Sequence, residues 1–263
     1  MHSFLRRGRW IDLAAVLVAL FMLAACGAKD PPPAKEAAAP TPPAAAETGP
    51  YEAGLAAYER RDYKGAAELW RPAAESGDRR AQYQLAYLYL DAQGVPKDEE
   101  AAAKYLRLAA EQNSAAAQSA LGSLYLQGRG VPQSYDEAWK WTRRSAEQKF
   151  PLAQYYLGWL YQYGAGAPRD IAEAEKWYRL AANQRESRAQ LALGRMYETG
   201  NGVPRDDVLA HAWYSLAMTS DPKVKPETLR VARQWRNELV LHMITADIRR
   251  AEALAASWRP GAI

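Results

Sequence analysis

From Tyr51 onward, apolar and polar positions alternate with the period of an α-helix. Ala117, Leu121, Leu124 and Tyr125 fall at i, i+4, i+7 and i+8, which is one apolar stripe. Gly128-Arg129-Gly130-Val131-Pro132 then interrupts it, because glycine admits positive φ and proline cannot continue a helix. A second stripe follows, with Ala138, Trp141, Thr142, Ser145 and Ala146 on one face. The pattern predicts two helices joined by a tight Gly/Pro turn.

The same unit recurs every 36 residues. Ala81-Gln82, Ala117-Gln118, Ala153-Gln154 and Ala189-Gln190 align, as do Leu85, Leu121, Leu157 and Leu193. Ala86, Gly122, Gly158 and Gly194 follow, then Tyr89, Tyr125, Tyr161 and Tyr197. The turns align at Gly94, Gly130, Gly166 and Gly202, each two residues before a proline. In the second helices Tyr105, Trp141, Trp177 and Trp213 align, where tall aromatics fill the space between helices. A shorter copy precedes these four. Its Gly54, Tyr58, Asp62, Tyr63, Ala66, Trp70 and Ala73 follow the tighter tetratricopeptide spacing, and Asp62 is a natural N-cap. Beyond the last copy, Leu229, Ala232, Trp235, Leu239 and Met243 share a helix face with Arg236 among them. Thr245 reads as the N-cap of a final helix, Ala246–Trp258, with Ile248, Ala251, Ala255 and Trp258 on one side. An array needs such atypical ends, because a terminal repeat has one face without a neighbour.

The shared pieces A-x-x-x-L-G-x-x-Y, G-x-G-V-P and A-x-x-W-Y-x-x-A-A resemble the Sel-1-like repeat, a relative of the tetratricopeptide repeat. Residues 153–182 show the pattern, with Ala167 for the valine of the turn, and residues 79–222 carry the resemblance throughout. It implies an all-α fold: a right-handed α-solenoid of helix-turn-helix repeats at 51–78, 79–114, 115–150, 151–186 and 187–222, closed by capping helices within 223–263. It also implies scaffold or adaptor roles.

The N-terminus has a different character. Arg6, Arg7 and Arg9 precede an uncharged apolar run from Leu13 to Ala25. The run is shorter than the about 20 residues a membrane-spanning helix needs, so residues 1–25 read as a secretory signal. Gly8-Arg9-Trp10 after the arginine pair fits the twin-arginine route poorly. Leu23-Ala24-Ala25-Cys26 resembles the lipobox of bacterial lipoproteins, which implies cleavage before Cys26 and acylation of its thiol. Gly27 in place of Asp implies the outer membrane by the same resemblance. Several acyl chains, at ~0.8 kcal/mol per buried CH₂, would make the anchor effectively permanent. Residues 26–50 then form a tether rich in Pro and Ala, including Pro31-Pro32-Pro33 and Pro42-Pro43. In a polyproline II form it would span on the order of 70 Å at ~3.1 Å per residue.

Charge and composition narrow the chemistry. Removing residues 1–25 takes away Arg6, Arg7, Arg9 and Asp12, so the formal charge falls from +4 to +2, a poor basis for binding nucleic acid. One cysteine excludes an internal disulfide and a cysteine-based metal centre. His2, His211 and His242 lack metal-ligand spacing, and His211 reads as a packed residue. The Gly-x-Gly turns continue as Val-Pro or Ala-Pro instead of a phosphate-binding sequence, and they recur with the structural period. Glu99-Glu100 and Asp206-Asp207 stand at the starts of second helices, where they complement the helix dipole. No catalytic residue, metal or cofactor is expected.

The chain has 16 Tyr and 9 Trp against 3 Phe, and only some of these aromatics follow the period. In two-helix arrays the first helices usually line the concave side. Helix offsets assign to that side Tyr83 and Tyr87, then Tyr155, Trp159 and Tyr163, with Arg80, Arg188 and Arg195 beside them, and Tyr51 and Tyr58 in the first copy. The aligned residues in the intervening copy are Ser119, Ser123 and Gln127. The repeat does not require these aromatics, and Tyr, Trp and Arg are common anchors of interfaces. The expected function is therefore a non-enzymatic, lipid-anchored scaffold that binds an envelope protein, facing the periplasm from the outer membrane. A narrower alternative is an assembly factor for exopolysaccharide export, with polysaccharide as a further ligand. A third is an envelope enzyme acting on peptidoglycan or β-lactams.

Overall fold

The computed structural model describes residues 49–222 and 224–261. The signal, Cys26 and most of the tether lie outside the described residues. Twelve helices and no strand occur among the described residues. They pair as α1 (Pro50–Glu59) with α2 (Tyr63–Glu75), α3 (Arg79–Asp91) with α4 (Glu99–Glu111), and α5 (Ala115–Gln127) with α6 (Tyr135–Glu147). Next come α7 (Pro151–Tyr163) with α8 (Ile171–Asn183), and α9 (Ser187–Thr199) with α10 (Asp207–Thr219). The last two are α11 (Pro226–Val240) and α12 (Thr245–Ser257). Each helix from α1 to α10 packs on the next along the array, and α10 carries α12 as well as α11. The result is an α-solenoid.

Local chemistry sets the helix limits. Asp62 accepts from the backbone N–H of Gly65 at 2.9 Å, and Asp98, Ser134, Asp170 and Asp206 cap the later second helices in the same way. The first helix of each long copy ends in a left-handed residue: Ala92, Gly128, Gly164 or Gly200. The second turn glycine answers a further constraint. At Gly130, φ is +64° and a methyl group would overlap the backbone carbonyl of Glu99 in the preceding copy. Gly166 meets the backbone of Tyr135 in the same manner. The G-x-G turn is thus where one copy's loop lies against the backbone that opens the previous copy's second helix. The final helix departs from expectation: Thr245 is its first helical residue and Ile244 its N-cap, with no side-chain cap bond.

The core is built from the periodic alanines and leucines. Ala81, Leu85, Ala117, Leu121, Ala153, Leu157, Ala189 and Leu193 are fully buried. A polar ladder runs through it. Gln82, Gln118, Gln154 and Gln190 are buried, and each side-chain amide donates to a carbonyl eight residues back, at 3.0, 3.0, 3.3 and 3.3 Å. Each side-chain oxygen accepts from the residue 30 positions on: Gln112, Gln148, Gln184 and Ser220, at 2.9, 2.7, 2.7 and 2.6 Å. The Ala-Gln pair of the repeat is therefore one core alanine and one bracket between helices. A glutamine tolerates burial there because both ends of its amide are satisfied.

Candidate functional site

The register-breaking residues lie on the first helices. On α3, Tyr83 packs against Tyr87 with ring centroids 4.9 Å apart. On α7, Trp159 packs against Tyr163 at 5.0 Å, and Tyr155 lies 5.3 Å from Tyr156 and 5.8 Å from Tyr178 of α8. Helical spacing of four residues within each pair puts the rings on one face.

Burial divides this set. Tyr83, Tyr155 and Trp159 keep only 8%, 4% and 9% of their surface, so the expectation of an open aromatic face fails for these three. Between α3 and α7 stands α5, whose aligned residues are Ser119 and Ser123. Ser119 is itself buried although short, and its Oγ has no hydrogen-bond partner. The neighbours of the three rings include Tyr87 for Tyr83, then Tyr156, Tyr178 and Arg188 for Tyr155, and Tyr163 for Trp159. Burial of a ring this size contributes on the order of 2–3 kcal/mol, so these aromatics are packing. Tyr87 and Tyr163 remain half-buried. Burial raises the phenol pKa of Tyr163, and the nearby Arg195 guanidinium works against that rise.

The three arginines go to different places. Arg188 stacks over Tyr155 and Tyr156, its guanidinium carbon 5.6 and 5.9 Å from the ring centroids. It also pairs with Glu186 at 2.9 Å, and little of either side chain reaches solvent. Arg80 sits at the other end, 4.1 Å from the Tyr51 ring and 3.1 Å from Glu52. Arg195 is half exposed, pairs with Glu198 at 2.9 Å and lies 5.2 Å from the Trp235 ring of α11. Glu198 also accepts from the Tyr214 hydroxyl at 2.5 Å. Tyr51 and Tyr58 both pack on Trp70 in the first copy, and Tyr58 donates to Gln93 at 3.4 Å. The structure thus joins Arg188 and Arg195 to the α7 aromatics and the cap, and joins Arg80 to α1.

Two residues here escape sequence reasoning. Tyr156 breaks the period too, since Gln84, Ala120 and Ala192 align with it, and that signal was available. Trp235 lies beyond the repeats, so no register exposes it. His211 is buried, as a packed histidine should be. Among the described residues no group of His, Cys, Asp and Glu could hold a metal ion, and no helix is long and apolar enough to cross a membrane. Of the acidic pairs, Asp206 caps α10, Asp207 pairs with Arg205 at 3.0 Å, and Glu99 binds Lys97 and Arg129, each at 2.9 Å. Glu99 and Glu100 both lie in the first turn of α4, as their helix-dipole reading expects.

Comparison with known proteins agrees with this geometry. The Sel1 repeat model matches residues 42–78, 79–114, 115–150, 151–185 and 187–219, the short first copy included. The fold is similar to c5321, a protective antigen of uropathogenic Escherichia coli strains displaying an SLR fold. That likeness has 35% identity and a TM-score of 0.66 over 73% of this chain, which spans only 40% of the antigen's length. It is also similar to a Sel1 repeat protein from Oxalobacter formigenes, at 29% identity and a TM-score of 0.58 over 74% of this chain and 86% of that one. No curated protein matches the sequence significantly. Five matched copies, with helices paired copy by copy and a shared core register, place the chain in the Sel1 repeat family, whose folds generally serve as scaffolds for protein–protein interaction.

Proposed function

We propose that this protein is a non-enzymatic docking scaffold of the bacterial envelope, tethered by lipid on Cys26, and that the partner meets the first-helix face at Tyr87, Tyr163 and Arg195. The observation that carries the reading is that these three break the repeat and still reach solvent. Packing accounts for Tyr83, Tyr155 and Trp159, but not for the exposed parts of the other three. A phenol edge and a guanidinium suit a protein surface with apolar and acidic groups. The envelope location rests on the signal and lipobox pattern ending at Cys26.

The test is site-specific photo-crosslinking in cells. A crosslinker at position 87 or 163 should capture a discrete envelope protein. The same group at Leu108 or Leu180, both exposed on second helices, should not. Equal capture from both faces, or capture from the second helices alone, would overturn the assignment.

A further inference from the structure

Several buried polar groups near the C-terminal end of the array lack a partner. His211 Nδ1, Trp213 Nε1 and Ser215 Oγ on α10 are buried without a hydrogen-bond partner among the described residues, and so is Trp258 Nε1 just after α12. Elsewhere in the array the buried glutamines are bracketed at both ends. The four C-terminal atoms are buried unmatched, as are Ser119 Oγ, Trp139 Nε1 and Thr142 Oγ1 in the third copy, and each such group costs ~1–3 kcal/mol. Ala217 on α10, Ala232 on α11 and Ala251 on α12 are fully buried where these helices pack.

His211 is the one titratable member of that set. It is 2% exposed. Its register position is held by Ala103, Trp139 and Glu175 in the earlier copies; Trp139 lies against Gly166 in the turn of the following copy, and Glu175 pairs with Arg179. In the last copy the corresponding neighbours are α11 and α12. The charged groups facing the imidazole are Arg236 from α11 and Glu252 from α12. On its own helix, Asp207 one turn earlier is engaged by Arg205.

We propose that His211 is a proton-sensitive latch: α11 and α12 close on the last repeat while the imidazole is neutral and loosen when it takes a proton. Protonation places a second N–H and a positive charge where no acceptor receives Nδ1 and where a guanidinium already stands. Burial lowers the pKa of His211 from its ordinary value, Arg236 lowers it further, and Glu252 opposes both. The sign follows by linkage. The docked state has the lower pKa, so docking is at full strength above the ordinary histidine range and weakens as pH falls through it. Loosening would uncover the outer side of the last repeat and release Trp235 from Tyr214 and from Arg195, a member of the proposed partner face.

The experiment is hydrogen exchange on the full chain between pH 8 and pH 5, corrected for intrinsic exchange rates. Amides of α11 and α12 should lose protection by roughly three- to tenfold across that range while those of α3 to α8 hold. His211→Phe should make the cap's protection independent of pH. Should that variant fold poorly, Arg236→Gln removes the opposing cation from a half-buried position and should flatten the response. Cap protection that does not change with pH in the parent chain, or a pH response unaltered in the variant that folds, would overturn the proposal.

Discussion

Within one turn, two glycines two residues apart should respond very differently to alanine. Gly128 and Gly130 have almost the same φ, +65° and +64°. At Gly128 an added methyl would come no closer than 3.3 Å to Gln133 Cβ, and the aligned residue in the previous copy, Ala92, already is an alanine at φ +53°. Gly128→Ala should therefore cost only the left-handed penalty, ~1 kcal/mol. At Gly130 the methyl would overlap the Glu99 carbonyl and stand 2.9 Å from the Glu100 backbone nitrogen. Both atoms are backbone at the start of α4, so no rotamer change relieves the overlap. The steric part adds ~1–3 kcal/mol, for a total of about 2–4 kcal/mol with the conformational penalty. Urea denaturation followed by circular dichroism would measure the difference. Hydrogen exchange should place the Gly130→Ala loss at the junction of α4 with the α5–α6 turn, because repeat arrays lose stability copy by copy. Equal costs for the two variants would refute the claim that the second glycine marks close backbone approach.

Gln118→Leu keeps the volume but removes the bonds to Ala110 and Gln148, and should lower stability by about 1–3 kcal/mol in the same melt, since each lost hydrogen bond is worth ~0.5–1.5 kcal/mol; a neutral effect would refute the bracket role. Trp159→Ala should destabilise by ~3–5 kcal/mol as a buried ring, whereas Tyr163→Ala should cost markedly less and yet weaken crosslinking or capture of the partner. The reverse order would return Trp159 to the binding face. Ala92→Gly should stabilise the array by ~0.5–1 kcal/mol by relieving a left-handed alanine; destabilisation would argue against strain there. Cys26→Ser should leave an unprocessed precursor without fatty-acid label, and label that persists would refute lipidation at this residue.

How far the fold could be read in advance depended on repetition. A single Gly-Arg-Gly-Val-Pro is ambiguous, but four such turns with the same spacing before a proline can only be structural. Asp62 as a cap was legible because an N-cap is a local matter of one side chain and a backbone N–H three residues away. Thr245 was misread for the same local reason: the motif fits, but the helix begins one residue earlier and takes Ile244 as its cap. The buried glutamines were visible as part of an Ala-Gln pair, though their partners 30 residues on were not, since Gln112, Gln148, Gln184 and Ser220 are not one residue type.

The candidate site was legible only in part. Departure from the period correctly marked which side chains the repeat does not require. It could not say which of them reach solvent. Tyr83 and Tyr163 look equally irregular along the chain, and one is buried while the other stays half open. Periodicity is a property of one chain compared with itself, so it sets the copies, the turns and the core alanines before any coordinates exist. Exposure is a property of neighbours brought together from other copies. It depends on Tyr178 of α8 packing on Tyr155, on Arg188 stacking over Tyr155 and Tyr156, and on the cap placing Trp235 against Arg195. Those contacts depend on volume and close packing between helices, and no shift of the sequence against itself contains them.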